Sequence, residues 1–173
     1  MSPETRLATV FKTARGWAAL GRTDRGLRSC THSQETPADA LEGLGSDWTL
    51  VAPEADPLLK QAADLVRDHF AGTCVVFDLP LDLSGLPDFT RRVLLACQRI
   101  PPGETRSYAD LAREVGSPRA ARAVGQVMAH NPMGLIIPCH RVVGSDGSLT
   151  GFAGKSRALE LKASLLQLEG AAG

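Results

Sequence analysis

The segment Ile136-Ile137-Pro138-Cys139-His140-Arg141-Val142-Val143 is the strongest constraint in the chain. An apolar run ends at a proline whose ring fixes the backbone, and the next residue is a cysteine followed directly by histidine and arginine. A thiol attacks as thiolate, and a neighbouring base or cation lowers its pKa and raises that fraction. His140 and Arg141 are neighbours of both kinds, so a lowered thiol pKa is expected. Cys30, Cys74 and Cys97 have no such company. The competing reading is that Cys139 is a buried small hydrophobe, the usual place of a free cysteine.

With 173 residues, 43% of them hydrophobic, the chain can build one ordinary domain or two small ones around a real core. No apolar run approaches the ~18 residues of a membrane span. Met1 to Phe11 lacks the pattern of a secretory signal. Four cysteines without paired spacing point to reduced thiols in the cytoplasm. Cys30 and His32 lie close together without a set of four ligands, so no metal site is expected. The net charge of zero is divided unevenly. Residues 1–88 carry 8 Lys and Arg against 13 Asp and Glu, and residues 89–173 carry 11 against 6. Such a division fits a polyanion-binding face, and equally two solvated surfaces that attract each other.

In the first half, Leu7 to Phe11 and Gly16 to Gly21 read as short strands, with Asp24-Arg25-Gly26 as a turn before Leu27. Pro57 to Phe70 has the spacing of an amphipathic helix, opened by a first-turn proline and ended by Gly72. Val75-Val76-Phe77 predicts one more strand, and Leu79 to Pro87 a connector. Trp17 and Trp48 are expected in the core. In the second half, Asp88 is placed to cap a helix running to Cys97 or Arg99. Ser107 caps another from Tyr108 to Val115, and Ser117-Pro118 opens a third, to about Ala129. Two short helices across a Gly-Ser-Pro turn outline a helix-turn-helix, although such pairs are often ordinary packing. The small residues around Arg122 suit close approach of a polyanion or tight helix packing, and Arg122 itself could be a solvated charge. Gly144 to Gly147 reads as a hairpin-like turn, and a last helix runs from about Ala158 to Leu168.

Pro101-Pro102-Gly103-Glu104-Thr105-Arg106-Ser107-Tyr108, Arg122-Ala123-Val124-Gly125, Asn131-Pro132 and Pro138-Cys139-His140-Arg141-Val142 occur in this order with nearly gap-free spacing. Together they closely resemble the methylated-DNA–protein-cysteine methyltransferases, the 6-O-alkylguanine-DNA repair proteins. The resemblance implies that Cys139 takes an alkyl group from the guanine 6-oxygen, irreversibly and once per molecule. It assigns a water-linked His–Glu pair to His140 and Glu169, and a hydroxyl donor to the leaving base at Tyr108. Asn131 becomes the turn residue that joins the helix pair to the active-site segment. Arg122 would fill the stack vacated by an extruded nucleotide, from a helix in the minor groove. Ala121, Ala123 and Gly125 would permit close backbone approach, with Arg106 and Ser107 adding DNA contacts. The carbonyls of Cys139 and Val142 would receive the guanine amino group, and Phe152-Ala153-Gly154 would close the pocket.

The implied fold is α+β. A small sheet-and-helix domain of ribonuclease-H-like type, with its connector, spans residues 1–83. A mainly helical, winged helix-turn-helix-like domain spans residues 84–173. The implied partner is double-stranded DNA containing 6-O-alkylguanine, met by a monomer with cooperative binding on DNA as an open possibility, without cofactor, metal or membrane. Pro102, Phe152 and Ala153 depart from tyrosine, tyrosine and serine found in many members. Lys155-Ser156-Arg157 resembles an insertion in the pocket loop. A non-catalytic relative of the family would lack the cysteine. A cysteine hydrolase or a helix-turn-helix regulator would leave Arg122 or the Pro-Cys-His-Arg segment without a role.

Overall fold

Alternation of small apolar and polar residues before position 35 yields three antiparallel strands, β1 (Leu7–Thr13), β2 (Gly16–Thr23) and β3 (Gly26–Gln34). The computed structural model describes residues 3–149 and 156–170. The hairpin turns rest on glycines of positive φ, Gly16 at 95° and Gly26 at 146°. Gly26 also leaves needed space, because a Cβ there would lie 2.5 Å from the Pro80 carbonyl oxygen. A two-residue strand, β4 (Thr49–Leu50), pairs in parallel with β1, and the sheet order is β3-β2-β1-β4.

One face of this sheet is covered by α1 (Pro37–Glu42). Ala8, Val10, Trp17 and Ala19 pack there with Ala40, Leu41, Leu44 and Trp48. Both tryptophans are half-buried on this cluster, and Trp48 donates its indole N–H to the Leu44 carbonyl at 3.1 Å. Phe11 is one residue out of phase with Val10 and so faces the other side. There the Arg67 guanidinium of α2 (Pro57–Phe70) lies 4.9 Å above its ring. The boundaries of α2 are those the sequence predicts. Asp56 accepts from the Leu59 N–H as cap, Pro57 occupies the first turn, and Gly72 follows with φ of 94°.

Two expectations for this half fail. Val75-Val76-Phe77 forms no strand, although burial alternates from buried Val75 and Phe77 to Val76, which is 70% exposed. The side chains follow a strand pattern, but no ladder hydrogen bonds form. The stretch expected as a connector begins as a docked segment. Leu27 N–H donates to Pro80 at 2.8 Å, Asp82 N–H donates to Leu27 at 2.7 Å, and Leu81 bridges Leu27. The Asp82 carboxylate is buried and accepts from Thr23 Oγ1 at 2.6 Å, Arg28 at 2.9 Å and the Ser84 N–H at 3.0 Å.

Residues Met1–Ser84 with Pro132–Gly134 form one compact unit, and Gly85–Asn131 with Leu135–Gly173 form the other. The three-residue segment Pro132–Gly134 lies along β3, where Cys30 N–H donates to Pro132 at 2.9 Å and Met133 is fully buried.

The second unit is mainly helical: α3 (Asp88–Gln98), α4 (Tyr108–Glu114), α5 (Ala121–Ala129) and α6 (Ser156–Leu168). Helices α3, α4 and α5 pack on one another through Val93, Leu94, Ala96, Leu111, Ala112, Val124 and Met128. Strand β5 (Arg106–Ser107) pairs in parallel with β6 (Val142–Val143). Ser107 caps α4 as predicted, in a reciprocal box with Asp110. Asp88 is not a cap. It is the first helical residue after Pro87, and its carboxylate accepts from Arg92 Nε at 2.9 Å. Helix α5 starts three residues later than Pro118 suggests, because residues 117–120 close a turn in which Ala120 N–H donates to Ser117.

Burial alone would raise the Asp82 pKa, but hydrogen bonds from Ser84, Thr23 and Arg28 hold it well below the usual carboxylate range. Its contribution is therefore complete above the unfolded value, about 3.9, and is lost as pH falls through the folded one. Asp82→Ala should lower the unfolding free energy by about 3 kcal/mol at neutral pH, read from urea denaturation. An unchanged midpoint would mean that the docked segment contributes nothing.

Candidate functional site

The cysteine is set by three local devices. Pro138 has φ of −80° and ψ of 65°, and Cys139 N–H donates to the Ile137 carbonyl at 2.8 Å, which makes an inverse γ-turn at the proline. The same carbonyl accepts from Asn131 Nδ2 at 2.8 Å, and the Asn131 amide also hydrogen-bonds the thiol. Asn131, just beyond the end of α5, thus ties that helix to the nucleophile. Leu135 takes a left-handed φ of 75° while fully buried, a conformation that bulky residues adopt only under tertiary constraint.

Cys139, His140 and Arg141 form a single 3-10 turn, and all three are buried. His140 Nε2 lies 2.9 Å from Glu169 Oε1. Arg141 grips the same carboxylate from two sides, with Nε to Oε2 at 2.9 Å and Nη2 to Oε1 at 2.6 Å. Its Nη1 donates to the Ile100 carbonyl at 2.6 Å. Burial would raise the Glu169 pKa, but hydrogen bonds from Arg141 and His140 bring it down to about 2. With Glu169 ionised, Nε2 carries the histidine proton and Nδ1 holds the lone pair. That Nδ1 is buried and has no hydrogen-bond partner among the described residues. Burial lowers the His140 pKa, against the opposing influence of Glu169, so the ring is uncharged at neutral pH.

The lowered thiol pKa expected from sequence is not found. Burial raises the Cys139 pKa, and the hydrogen bond from Asn131 and the charge of Lys162 offset it only in part. Arg141 is only two residues away in sequence, but its donors are committed to Glu169 and Ile100. The cation that reaches the thiol is Lys162, which sequence reasoning missed. Lys162 is fully buried in α6, donates to the Val142 carbonyl, and lies 3.3 Å from the Tyr108 hydroxyl. Burial lowers its pKa to about 8. The available signal was its position: Lys162, Leu165, Leu166 and Glu169 recur at one helical face, so a lysine stands among core leucines. Burial raises the Tyr108 pKa to about 12, which keeps its proton in place as a donor.

The Val142 carbonyl is shared with Lys162, and the Cys139 carbonyl accepts the Val142 N–H, so each keeps one acceptor position for a ligand. On α5, Arg122 and Ala123 are exposed along with Gln126, Ala129 and His130, whereas Ala121 is half-buried. Gly125 is half-buried on the same helix. It faces Tyr108, whose ring would be 3.9 Å from an added Cβ. Ser107 spends its hydroxyl oxygen on the Asp110 N–H, and Arg106 is held by Glu104 at 3.0 Å and the Thr105 carbonyl at 2.9 Å. Phe152, Ala153, Gly154 and Lys155 lie outside the described residues, while Ser156 and Arg157 begin α6 rather than extending a loop. Among the described residues, no three His, Cys, Asp or Glu side chains group as metal ligands.

Residues 88–171 match the family model described as 6-O-methylguanine DNA methyltransferase, DNA binding domain. A methylated-DNA–protein-cysteine methyltransferase of Mycolicibacterium paratuberculosis is 49% identical over 108 residues, which are 62% of this chain and 63% of that protein. The matched stretch is thus a little under two thirds of that relative's length. The crystal structure of Mycobacterium tuberculosis O6-methylguanine methyltransferase aligns with a TM-score of 0.76 at 36% identity, over 96% of this chain and 93% of that one. Mycobacterium tuberculosis OGT in complex with DNA aligns with a TM-score of 0.75 at 34% identity, over 94% and 92%. By sequence and by fold, this chain belongs to the methylated-DNA–protein-cysteine methyltransferase family.

Proposed function

We propose that this chain repairs DNA by moving the alkyl group of 6-O-alkylguanine onto Cys139, once per molecule. The observation that carries the reading is a buried thiol beside a histidine whose Nε2 is committed to Glu169 and whose Nδ1 is free to take a proton. The sulfur attacks the alkyl carbon in line with the C–O bond. The S–C bond forms as the C–O bond breaks, and that electron pair passes into the purine. The thiol proton goes to His140 Nδ1 through one bridging water. The purine anion takes a proton from Tyr108, whose oxygen is steadied by Lys162. The product thioether has no leaving group that water can displace at neutral pH, so the acceptor is used up.

The finer assignments belong to the same reading. Residues 84–173 are the DNA-binding and alkyl-acceptor domain, with α4 and α5 as a winged helix-turn-helix whose second helix enters the minor groove. Arg122, exposed on α5, fills the place of the extruded nucleotide. Residues 1–83 are a support of ribonuclease-H-like type. All the groups named above come from one chain, which favours a monomer as the working species. Free cysteines favour the reducing cytoplasm, and among the described residues no helix is long and apolar enough to cross a membrane.

Incubation with duplex DNA containing 6-O-methylguanine should add one methyl mass to the peptide of Cys139, and Cys139→Ala should abolish this while retaining DNA binding. Methyl found on another cysteine, or many turnovers per molecule, would refute the mechanism. Arg122→Ala should slow repair of duplex by roughly 100-fold, corresponding to the few kcal/mol of nucleotide extrusion, and leave reaction with the free modified base nearly unchanged. Equal losses on both substrates would remove Arg122 from extrusion. Tyr108→Phe should cost roughly 100-fold in the single-turnover rate with little change in DNA affinity. A wild-type rate would rule out the hydroxyl as donor.

A further inference from the structure

We propose that Arg141 is a positioning residue for the transfer step: it takes up the charge of Glu169 and so leaves His140 an uncharged base whose buried Nδ1 keeps its lone pair. The inference rests on the alkyl-acceptor reading above and concerns what keeps its base in working form. Arg141 is almost completely buried, and three of its N–H groups have named acceptors: both oxygens of Glu169 and the Ile100 carbonyl. Its two-point hold on Glu169 fixes the plane of that carboxylate, and Oε1 is thereby aimed at His140 Nε2.

Charge makes the stronger case. A lone buried carboxylate beside an imidazole favours the imidazolium, since the pair then exists as two opposite charges in contact. An imidazolium carries protons on both nitrogens and cannot accept one from a thiol. The guanidinium supplies the positive charge instead, so arginine, carboxylate and neutral ring form a balanced set. Among the described residues, the ionisable groups around His140 are Lys162 of α6 and Glu169 just past its end, with Arg141 and Cys139 of its own turn. Cys97 of α3 and Tyr108 of α4 lie beyond them and are influenced by Cys139. Of these, burial comes first in lowering the His140 pKa, Glu169 opposes it, and Arg141 and Lys162 reinforce it. Lysine at position 141 could match the charge but not the two-point geometry.

The test is the His140 ring titration by NMR together with the pH dependence of the single-turnover rate on methylated duplex. In wild type the ring should be neutral at pH 7 with its proton on Nε2. Arg141→Ala should move both the titration and the rising limb of the rate upward by about 1–2 pH units. The rate at pH 7 then falls by roughly 2- to 20-fold and recovers at higher pH. Arg141→Lys should keep the limb near its wild-type position while lowering the plateau. A limb that stays in place in Arg141→Ala, or a loss equal at every pH, overturns the proposal and leaves Arg141 a structural residue. If Arg141→Ala does not fold, the wild-type titration decides, and an imidazolium at pH 7 overturns it. His140→Gln at the wild-type rate would instead defeat the base assignment, a separate failure.

Discussion

One carboxylate closes the buried cluster behind Cys139. Glu169 stands just past the end of α6 and receives three N–H donors from two consecutive residues of the active turn. Through Arg141 the same network reaches the Ile100 carbonyl, beyond the end of α3. Two helix ends and the nucleophile's turn are therefore fastened at one buried point. A pair this deep contributes little net stability when complete, but losing one partner strands a charge at a cost of about 3–5 kcal/mol. Such a contact specifies geometry more than it adds stability.

The thiol itself is held back. Burial keeps it protonated, while Asn131, Lys162 and the local backbone N–H groups stand ready to stabilise the anion. A permanently ionised cysteine would be exposed to oxidation and stray electrophiles, and the single-use acceptor proposed here could not recover from either. Under the proposed reaction, a neutral resting thiol would confine its reactivity to the moment when a substrate fills the site and His140 accepts the proton. The inverse γ-turn at Pro138 complements this by fixing where the sulfur sits without relying on side-chain contacts.

Legibility was uneven, and the reasons are physical. Helix α2 could be read to the residue because its cap, first-turn proline and terminal glycine are local signals that act within a few positions. The strand expected at Val75–Phe77 failed because alternation reports which side is buried, whereas a strand also needs a neighbour to bond with. Asp88 could be a cap by composition, yet Pro87 took the capping position. Helical phase, which the run of small residues around Arg122 does not reveal, brings Gly125 close to the Tyr108 ring.

The order of residues alone determined the chemistry on offer: a cysteine after a proline, a histidine after the cysteine, and an arginine among small residues. These depend on covalent neighbours and short-range backbone preferences. Only the tertiary structure decided which charge acts on which group. Arg141 is two residues from the thiol yet serves Glu169, 28 residues away, while Lys162, distant in sequence, is the cation whose charge acts on the sulfur. Electrostatic influence falls with distance through space and with exposure to water, and neither quantity is written along the chain.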